Sequence, residues 1–281
     1  MGILYLVATP LGNLEDMTFR AVTTLQTVDL IAAEDTRHTG KLLQQFQITT
    51  PQISYHDHNR LSRIPELLEK LKAGKNLALV SDAGTPGISD PGQELVAACI
   101  DAGITVVPIP GATALISALI SSGLKTDRFV FEGFLPTKGK DRQARLEALK
   151  TETRTLILYE APHRLLATLT DLQTILGETL RMTIARELTK YHEEFCHGTI
   201  ADAIVAFTEQ EPKGEFCLVI EGRSPEETPI FTPETLRDEL KSLIEQGMSR
   251  SQASRQLAAI TQLPRRQLYQ LSLESDPDAA P

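Results

Sequence analysis

The chain has 281 residues, enough for roughly two domains of about 150 residues with buried cores and no disulfide staples. With 41% hydrophobic and 23% charged residues, the composition excludes a disordered chain and a membrane bundle. The 28 Lys and Arg against 37 Asp and Glu give a formal net charge of -9, so any nucleic-acid site must be a local basic patch.

The cysteines and the first residues indicate the compartment. Cys99, Cys196 and Cys217 form no CxxC pair, and two of them fall in apolar stretches typical of reduced core thiols. The opening apolar run, residues 3–8, lacks a basic segment before it and is too short for a signal sequence or a membrane span. We expect a cytoplasmic protein that does not enter a membrane.

In the first half, short runs of Val, Ile and Leu alternate with helical patterns, which is typical of a mainly parallel sheet. The predicted strands are 3–8, 28–33, 77–81 and 105–109, and the predicted helices are 14–26, 63–72, 94–101 and 114–121. We expect an α/β domain over residues 1–122.

The second half has more closely spaced strands, which favours a mixed sheet. The predicted strands are 129–134, 155–159, 182–186, 194–197 and 216–221, and the predicted helices are 141–150, 165–175 and 200–207. We expect a second α/β domain over 123–223, joined to the first by a short polar hinge.

A third, smaller unit follows a charged linker with two prolines at 224–231. Helices are predicted at 233–246, 251–261 and 264–271, within a helical unit that spans 232–274. Residues 249–269 resemble a helix-turn-helix, although a short triplet of helices is equally typical of packing or dimerisation. We expect the tail, 275–281, to be disordered.

Several common sites have no support in the sequence. GxGxxG, the Walker loop and GxSxG are absent. His56 and His58 could share one face of a strand, but no third ligand has suitable spacing, so no metal is expected. Cys196 and His197 would point to opposite faces of a strand, which argues against an activated thiol.

The strongest signal is the segment 81–92, SDAGTPGISDPG, directly after a predicted strand. Three glycines and two prolines predict a rigid turn whose backbone can approach a ligand. Asp90 and Pro91 are expected as the N-cap and first residue of the next helix. A tight connection without a ligand is the alternative.

Two further loops favour a pocket. Residues 7–16 and 108–114 also place Pro, Gly and a hydroxyl or amide at strand ends. Because the carboxyl ends of parallel strands share one edge of the sheet, these loops are expected to face one crevice.

Four further motifs accompany these loops: AEDTRHTGKLL at 33–43, SYHDHN at 54–59, YEAPHR at 159–164 and ARELTKYHEE at 185–194. Together, the loops and motifs identify a resemblance to a known family. The chain resembles the bacterial small-subunit ribosomal RNA 2'-O-methyltransferases that modify a decoding-centre cytidine, which are grouped with the tetrapyrrole-methylase-like enzymes. The resemblance covers about residues 3–222 together with a helical tail. It implies two α/β domains that enclose S-adenosylmethionine in a cleft, and a homodimer.

The resemblance also implies a set of cofactor-binding residues. They are Pro10, Leu11, Asp82, Gly84, Thr85, Pro86, Ile88, Thr113, Ala114, Tyr159, Pro162, Ala185, Leu188, Lys213, Gly214 and Glu215. Ala112 stands where family members often have a second proline, which weakens the assignment of Thr113.

Methyl transfer to a weakly nucleophilic ribose hydroxyl benefits from a general base or a nearby cation. Glu187 and Lys190 are the candidates. A buried lysine with a lowered pKa could act as the base, whereas an ordinary one could clamp a phosphate. A purely structural ion pair of Glu187 with Arg186 or Lys190 is the alternative.

Contacts to RNA require cations and hydrogen-bonding groups. The candidates are Arg37, His56, Asn59, Arg164, Arg186, Arg265 and Arg266. Two basic stretches support them, residues 136–154 with six basic and three acidic residues, and 247–270 with four arginines and no acid.

Two other functions stay open at this point. A tetrapyrrole C-methyltransferase would share the fold and cofactor but requires a large apolar cavity. A non-enzymatic RNA-binding ribosome assembly factor would explain the arginines but not three rigid loops. Because the chain is acidic, the assembled small subunit is a better substrate candidate than naked RNA.

Overall fold

The computed structural model describes residues 1–209, 211–223, 233–261 and 263–274. The chain divides into two compact units, Met1–Arg223 and Ser224–Pro281. The predicted linker, 224–231, and the predicted disordered tail, 275–281, lie outside the described residues. No helix in the described part of the chain is both long and apolar enough to cross a membrane.

The first sheet has five parallel strands in the order β3-β2-β4-β1-β5. These strands are β1 (Ile3–Val7), β2 (Leu30–Ala33), β3 (Gln52–Ser54), β4 (Leu77–Val80) and β5 (Thr105–Ile109). The central strand β4 is fully buried along its length. A continuous apolar run, rather than an alternating one, is what burial on both faces requires.

Helices cover both faces of this sheet. They are α1 (Phe19–Thr27), α2 (Thr36–Gln45), α3 (Arg60–Lys72) and α4 (Gln93–Asp101). Leu25 of α1 and Leu43 of α2 belong to the core on one face, while Leu67 and Leu95 belong to the core on the other. A fifth helix, α5 (Ala114–Ser121), instead packs against the second sheet.

The second sheet is mixed, with the order β6-β7-β10-β8-β9. Its strands are β6 (Phe129–Phe134), β7 (Thr155–Glu160), β8 (Arg181–Arg186), β9 (Glu194–Thr199) and β10 (Phe216–Ile220). Only β6 and β7 pair in parallel among the strand pairs of this sheet in the described residues. One face packs against α6 (Gly139–Leu149), α7 (Leu165–Leu176) and α8 (Ile200–Glu209).

The C-terminal unit contains three helices within its described residues, α9 (Pro233–Glu245), α10 (Arg250–Thr261) and α11 (Arg265–Glu274). Leu240, Ala253 and Leu268 are fully buried and join the three helices around a small core. Amphipathic spacing of these side chains is sufficient for such packing.

The predicted α/β fold class, with two sheets, the second of them mixed, and a C-terminal helical unit, is confirmed. Two elements were missed, β3 and α2, because β3 is a three-residue edge strand and α2 buries only Thr39 and Leu43. The predicted helix at 14–26 is a 3₁₀ turn at Leu14–Asp16 followed by α1.

Two local predictions were wrong. His56 and His58 do not lie in a strand, because β3 ends at Ser54 and a turn held by the Asn59 amide follows. Asp90 does not cap α4, since Gly92 is the N-cap residue and the Asp90 carboxylate hydrogen-bonds to the Ser81 side chain instead.

Candidate functional site

The three loops predicted to share a crevice are linked to one another in the structure. Thr9, after β1, pairs with Gly84, after β4, through two backbone hydrogen bonds of 2.8 and 3.0 Å. The Thr85 hydroxyl donates to the Ala112 carbonyl over 3.1 Å, and its oxygen lies 2.7 Å from the Thr113 hydroxyl. The loops after β1, β4 and β5 therefore form one rigid wall, which we call the first wall.

Gly84 allows this close approach. Its φ of 77° lies in the left-handed region, and a Cβ there would stand 3.2 Å from Cδ2 of Leu11. Any side chain would therefore combine backbone strain with crowding between two loops of the first wall.

The opposite side of the crevice comes from the second sheet. Tyr159 at the end of β7 accepts a hydrogen bond of 3.0 Å from the Leu115 backbone N–H, which ties this strand to α5. Ala185 and Cys217 are paired neighbours on β8 and β10 and are almost fully buried. Together with Leu188 they form a largely apolar surface, which we call the second wall.

A cavity of about 340 Å³ lies between the two walls. Its lining includes twelve of the sixteen predicted cofactor-binding residues: Leu11, Asp82, Gly84, Thr85, Ile88, Thr113, Ala114, Tyr159, Pro162, Ala185, Leu188 and Glu215. The volume is in the range of small-molecule sites, and such a mixture of apolar surface and a few polar groups is typical of them.

A cluster of charged side chains borders the second wall. The Lys190 ammonium lies 3.0 Å from Glu187 Oε1 and 3.0 Å from Glu215 Oε2. Glu187 also accepts the Glu215 backbone N–H over 2.9 Å. We call this arrangement of Glu187, Lys190 and Glu215 the latch. Glu187 and the neighbouring Thr189 both have left-handed backbones, at φ 52° and 66°. Non-glycine residues in this region store strain and concentrate at functional sites.

The contacts within the latch shift the pKa values of Lys190 and Glu187. Burial alone would lower the pKa of Lys190, but its hydrogen bonds to Glu215 and Glu187 outweigh burial and raise it. Burial would raise the pKa of Glu187, yet the Glu215 N–H and Lys190 lower it overall. The raised pKa favours a charged Lys190 over a neutral lysine that acts as a base.

Acidic side chains line the first wall. Glu34, at the end of β2, accepts the Asp82 N–H over 3.2 Å, and Asp82 accepts the Asp35 N–H over 3.1 Å. Burial, followed by the nearby charge of Glu34, raises the pKa of Asp90 to about 7. Burial and repulsion from Asp82 likewise contribute to a raised pKa of Glu34.

With this geometry established, sequence comparison defines the family. A sequence model of the tetrapyrrole (corrin/porphyrin) methylases matches residues 3–204. The chain belongs to this family. The resemblance inferred from the motifs is thereby confirmed.

Within the tetrapyrrole methylase family, similar proteins carry the name ribosomal RNA small subunit methyltransferase I. The one from Synechocystis sp. (strain ATCC 27184 / PCC 6803 / Kazusa) is 75% identical over 99% of this chain and 100% of its own length. The one from Bacillus subtilis (strain 168) is 49% identical over 96% of this chain and 93% of its own.

Solved structures of other proteins share this fold. A uroporphyrin-III C-methyltransferase from Thermus thermophilus complexed with S-adenosyl homocysteine has a TM-score of 0.57 and 17% identity, covering 78% of this chain and 97% of that one. A diphthine synthase has a TM-score of 0.63 and 13% identity, covering 79% and 91%.

Four predicted cofactor residues do not line the cavity. Pro10 and Pro86 are buried beside it in the first wall. Lys213 is exposed and pairs with Glu211, while Gly214 has φ 92° and lies against the Glu187 side chain. These residues shape the walls rather than line the cavity.

Sequence reasoning also missed part of the lining. The missed residues are Glu34, Ala83, Ser89, Asp90, Phe134, Glu160, Ala161, Phe216 and Cys217. Most directly adjoin predicted residues along the chain, so strand ends alone could have indicated them. Glu34 could have been found only through its position at the end of β2.

Most of the proposed RNA-contacting side chains in residues 1–223 already have protein partners. Arg164 donates to the Leu135 carbonyl over 2.5 Å, and Arg186 donates to the Lys213 carbonyl and pairs with Glu194. The Asn59 amide holds the turn that contains His56. Arg37 pairs with Asp35 but is 89% exposed, so it is the arginine of this group best placed for solvent-side contacts.

The two basic stretches named in the sequence analysis also differ in how many of their side chains already have protein partners. In the stretch 136–154, Arg142, Arg145, Lys150 and Arg154 all pair with carboxylates, so much of its excess charge is compensated locally. In the C-terminal unit, Arg265 donates to the Ser251 hydroxyl over 2.7 Å. Arg266, at the start of α11, is exposed.

Proposed function

We propose that this protein transfers a methyl group from S-adenosylmethionine to the ribose 2'-hydroxyl of a cytidine in the decoding region of small-subunit ribosomal RNA. The observation that carries the proposal is the cavity between the two walls, because it gathers twelve residues from motifs that are widely separated along the chain. Relatives named ribosomal RNA small subunit methyltransferase I, similar over almost the whole chain, support the choice of substrate.

The cavity fits the methyl donor chemically. The backbone around Gly84 leaves space where a Cβ would crowd Leu11. The apolar side chains of the second wall suit the flat face of an adenine, and the carboxylates suit ribose hydroxyls and the donor's ammonium group. When bound, S-adenosylmethionine supplies an electrophilic methyl carbon attached to a positively charged sulfur.

The protein's task is then orientation. An in-line displacement is accelerated mainly by holding the attacking oxygen close to the methyl carbon and on axis. Hydrogen bonds such as Thr9 to Gly84 and Thr85 to Thr113 keep the first wall in one conformation. Glu187 and Lys190, the original catalytic candidates, are committed to each other and to Glu215, which supports a positioning role.

For the wider architecture we propose a division at residue 122, supported by the two separate sheets on either side of it. We assign the helical unit 232–274 to RNA binding, supported by its four arginines without an intervening acid between 247 and 270. The protein acts in the cytoplasm on the assembled small subunit, and it does so as a homodimer.

The test supplies a radiolabelled methyl donor to this protein with unmodified small subunits, naked ribosomal RNA and a porphyrinoid in parallel. We expect label in the small subunits, located by nuclease digestion at a 2'-O-methylcytidine. Label on the porphyrinoid alone would identify a tetrapyrrole C-methyltransferase instead. Label on RNA bases rather than ribose would contradict the proposed chemistry.

A second experiment addresses the C-terminal unit. Deleting residues 232–281 is expected to weaken binding to small-subunit RNA much more than binding to S-adenosylhomocysteine. Equal RNA affinity before and after deletion would assign this unit a structural role.

A further inference from the structure

Strand β6 contains a β-bulge close to the cavity. Phe131 pairs with Ile157 of β7. Gly133, two residues further on, pairs with the very next residue of β7, Leu158, which leaves one extra residue in β6. Gly133 has φ 62°, a left-handed conformation that glycine adopts without strain. A bulge bends its strand and re-aims the side chains that follow, often beside an active site.

The bulge places Phe134 on the same face of the sheet as Phe131. In a regular strand, two residues that are three apart point to opposite faces. Here Phe134 pairs with Tyr159, which shares a face with Ile157 because the two lie two apart on β7. The Tyr159 ring contacts both phenylalanines, with ring centroids 4.9 Å away for Phe131 and 5.7 Å for Phe134. The bulge therefore brings a second phenylalanine ring to the cavity side of the sheet.

Phe134 is the most exposed of the aromatic residues that line the cavity within the described part of the chain. It is 51% exposed, whereas Phe216 is 3% exposed and Tyr159 is half-buried. An apolar ring that stays in contact with water costs free energy, which burial against a ligand would recover. The exposed part of this ring is thus available to a molecule that enters the cavity.

The segment that follows this ring is anchored by two arginines. Arg164 donates to the Leu135 carbonyl over 2.5 Å, and Arg142 donates to the Pro136 carbonyl over 3.0 Å. Arg164 in turn lies 3.3 Å from the buried Glu160 carboxylate. Hydrogen bonds from charged donors are among the stronger ones in proteins. They hold the end of β6 in one conformation, so the ring is oriented before any ligand binds.

The charge of the lining limits which part of an RNA can enter. Five carboxylates line the cavity: Glu34, Asp82, Asp90, Glu160 and Glu215. The lining contains no lysine or arginine within the described residues. Such a surface repels phosphate groups but not an uncharged base or sugar. The neutral ring of Phe134 is therefore a more suitable partner for a nucleotide here than any charged contact.

The target nucleotide must leave its neighbours in the RNA in order to react. Its 2'-hydroxyl has to approach the methyl carbon inside the cavity, and its base is attached to the same ribose. Proteins commonly hold an unstacked base on an aromatic side chain, and such a contact strengthens binding by about 10- to 100-fold.

We propose that Phe134 is the surface on which the base of the target nucleotide stacks. This inference rests on the proposed function. Every base has a flat face, so stacking on the ring holds the base and does not identify it. The ring thereby keeps the attached ribose at the mouth of the cavity while methyl transfer takes place.

The principal test is Phe134→Leu in the full chain, with Phe129→Leu as the matched control. Phe129 lies at the other end of β6, pairs with Thr155 and is 36% exposed. We expect Phe134→Leu to lower kcat/KM for methylation of unmodified small subunits by about tenfold or more. Its affinity for S-adenosylhomocysteine, measured by calorimetry, should stay within about threefold of the unchanged protein. Phe129→Leu should change neither quantity by more than about threefold.

Two further variants separate stacking from packing. Phe134→Tyr keeps a flat ring and should retain kcat/KM within about threefold. Because the chain contains no tryptophan, Phe134→Trp provides a single reporter, which we would incorporate as 5-hydroxytryptophan to excite it separately from the tryptophans of ribosomal proteins. With S-adenosylhomocysteine already bound, unmodified small subunits should quench its emission, since a base stacked on an indole quenches fluorescence. The same reporter in Phe129→Trp should not respond.

The contrary outcomes are distinct. A kcat/KM of Phe134→Leu within about threefold of the unchanged protein would overturn the inference. So would an equal loss in Phe129→Leu, which would assign the effect to packing of β6. If S-adenosylhomocysteine alone quenches the reporter, or if Phe134→Leu loses affinity for it as strongly as kcat/KM, the ring stacks on the adenine of the donor instead. If the unchanged protein labels no small subunits, the proposed function fails and this inference falls with it.

Discussion

The two walls of the cavity reach rigidity by different physical means. The first wall depends on backbone hydrogen bonds and on glycine, as at Thr9 and Gly84, where two loops pair like strands. The second wall depends on side chains, with Lys190 joining Glu187 and Glu215 across a loop that contains two left-handed non-glycine residues. One wall is held mainly by short-range backbone geometry and the other mainly by charge.

This difference determines how each wall should respond to change. Backbone hydrogen bonds in a buried turn are almost insensitive to salt, whereas partly exposed ion pairs weaken as salt rises and as carboxylates become protonated. Substitutions at glycine should therefore damage the first wall most, and changes of charge or pH should act mainly on the second.

The largest effect is expected for Gly84→Ala. The new Cβ meets a left-handed backbone cost of about 1–2 kcal/mol and also crowds Cδ2 of Leu11 at 3.2 Å, so the Leu11 side chain, which lines the cavity, must shift. We expect affinity for S-adenosylhomocysteine, measured by calorimetry, to fall by at least about tenfold, equivalent to 1.4 kcal/mol.

The matched control is Gly103→Ala. Gly103 has a similar φ of 68°, but an added Cβ meets no atom within 4 Å. This variant should lose stability in urea unfolding and retain its affinity for S-adenosylhomocysteine. If both variants lose affinity equally, crowding within the first wall has no specific role.

The difference between a wall held by backbone geometry and a wall held by charge also explains which parts of the site could be predicted from the sequence. Glycine, proline and threonine at strand ends are local signals, and they located the three loops of the first wall, whereas the family resemblance implied the lining residues of the second wall. The latch leaves a weaker signal, because the Glu187–Lys190 pair could be anticipated from the sequence, whereas Glu215 joins it only where β8 and β10 bring the two segments together. Asp90 was missed as a site residue since its proline neighbour favoured a helix cap.

The second wall is tested by Gly214→Ala. Gly214 has φ 92°, and an added Cβ would stand 2.5 Å from Cδ of Glu187, so the Glu187 side chain must move out of the latch. We expect S-adenosylhomocysteine to bind about three- to tenfold more weakly, because Leu188 lines the cavity directly beside the displaced residue.

Gly177→Ala is its control, with φ 95° and no atom within 4 Å of the added Cβ. Both variants place a side chain at a similar positive φ, so a difference in affinity points to the contact with Glu187. Equal affinities in the two variants would mean that the latch does not shape the second wall.

Removing the charge at the centre of the latch should have a smaller effect. Lys190→Met leaves Glu187 and Glu215 without their shared cation, and we expect a loss of about 1 kcal/mol in the free energy of unfolding at pH 7 and low salt. The loss should shrink in 1 M NaCl because the pairs are partly exposed. Turnover should fall more than affinity for S-adenosylmethionine, as it should for Glu187→Gln.

The pH dependence of this variant has a definite sign. Because the pKa of Glu187 is lowered in the folded protein, the stability it contributes is present above its ordinary value and disappears as pH falls through the lowered one. The difference in stability between Lys190→Met and the unchanged protein should therefore vanish in acid. The Lys190 side chain also passes so close to Gly12 that a Cβ on Gly12 would stand 2.3 Å from Cγ of Lys190. A difference in stability that persists after Glu187 is protonated would show that Lys190 acts through this packing rather than through its charge.

The smallest expected effect is that of Thr85→Val in the first wall. This nearly isosteric change removes the hydrogen bond to the Ala112 carbonyl and the contact with the Thr113 hydroxyl, which should cost about 0.5 kcal/mol in urea unfolding. The control is Thr170→Val on α7, whose exposed hydroxyl bonds to Leu166 within the same helix and should matter less. Since both lost bonds in Thr85→Val are between neutral groups, its destabilisation should be the same in low salt and in 1 M NaCl. Salt dependence as large as that of Lys190→Met would show that the two walls do not differ in the way the structure indicates.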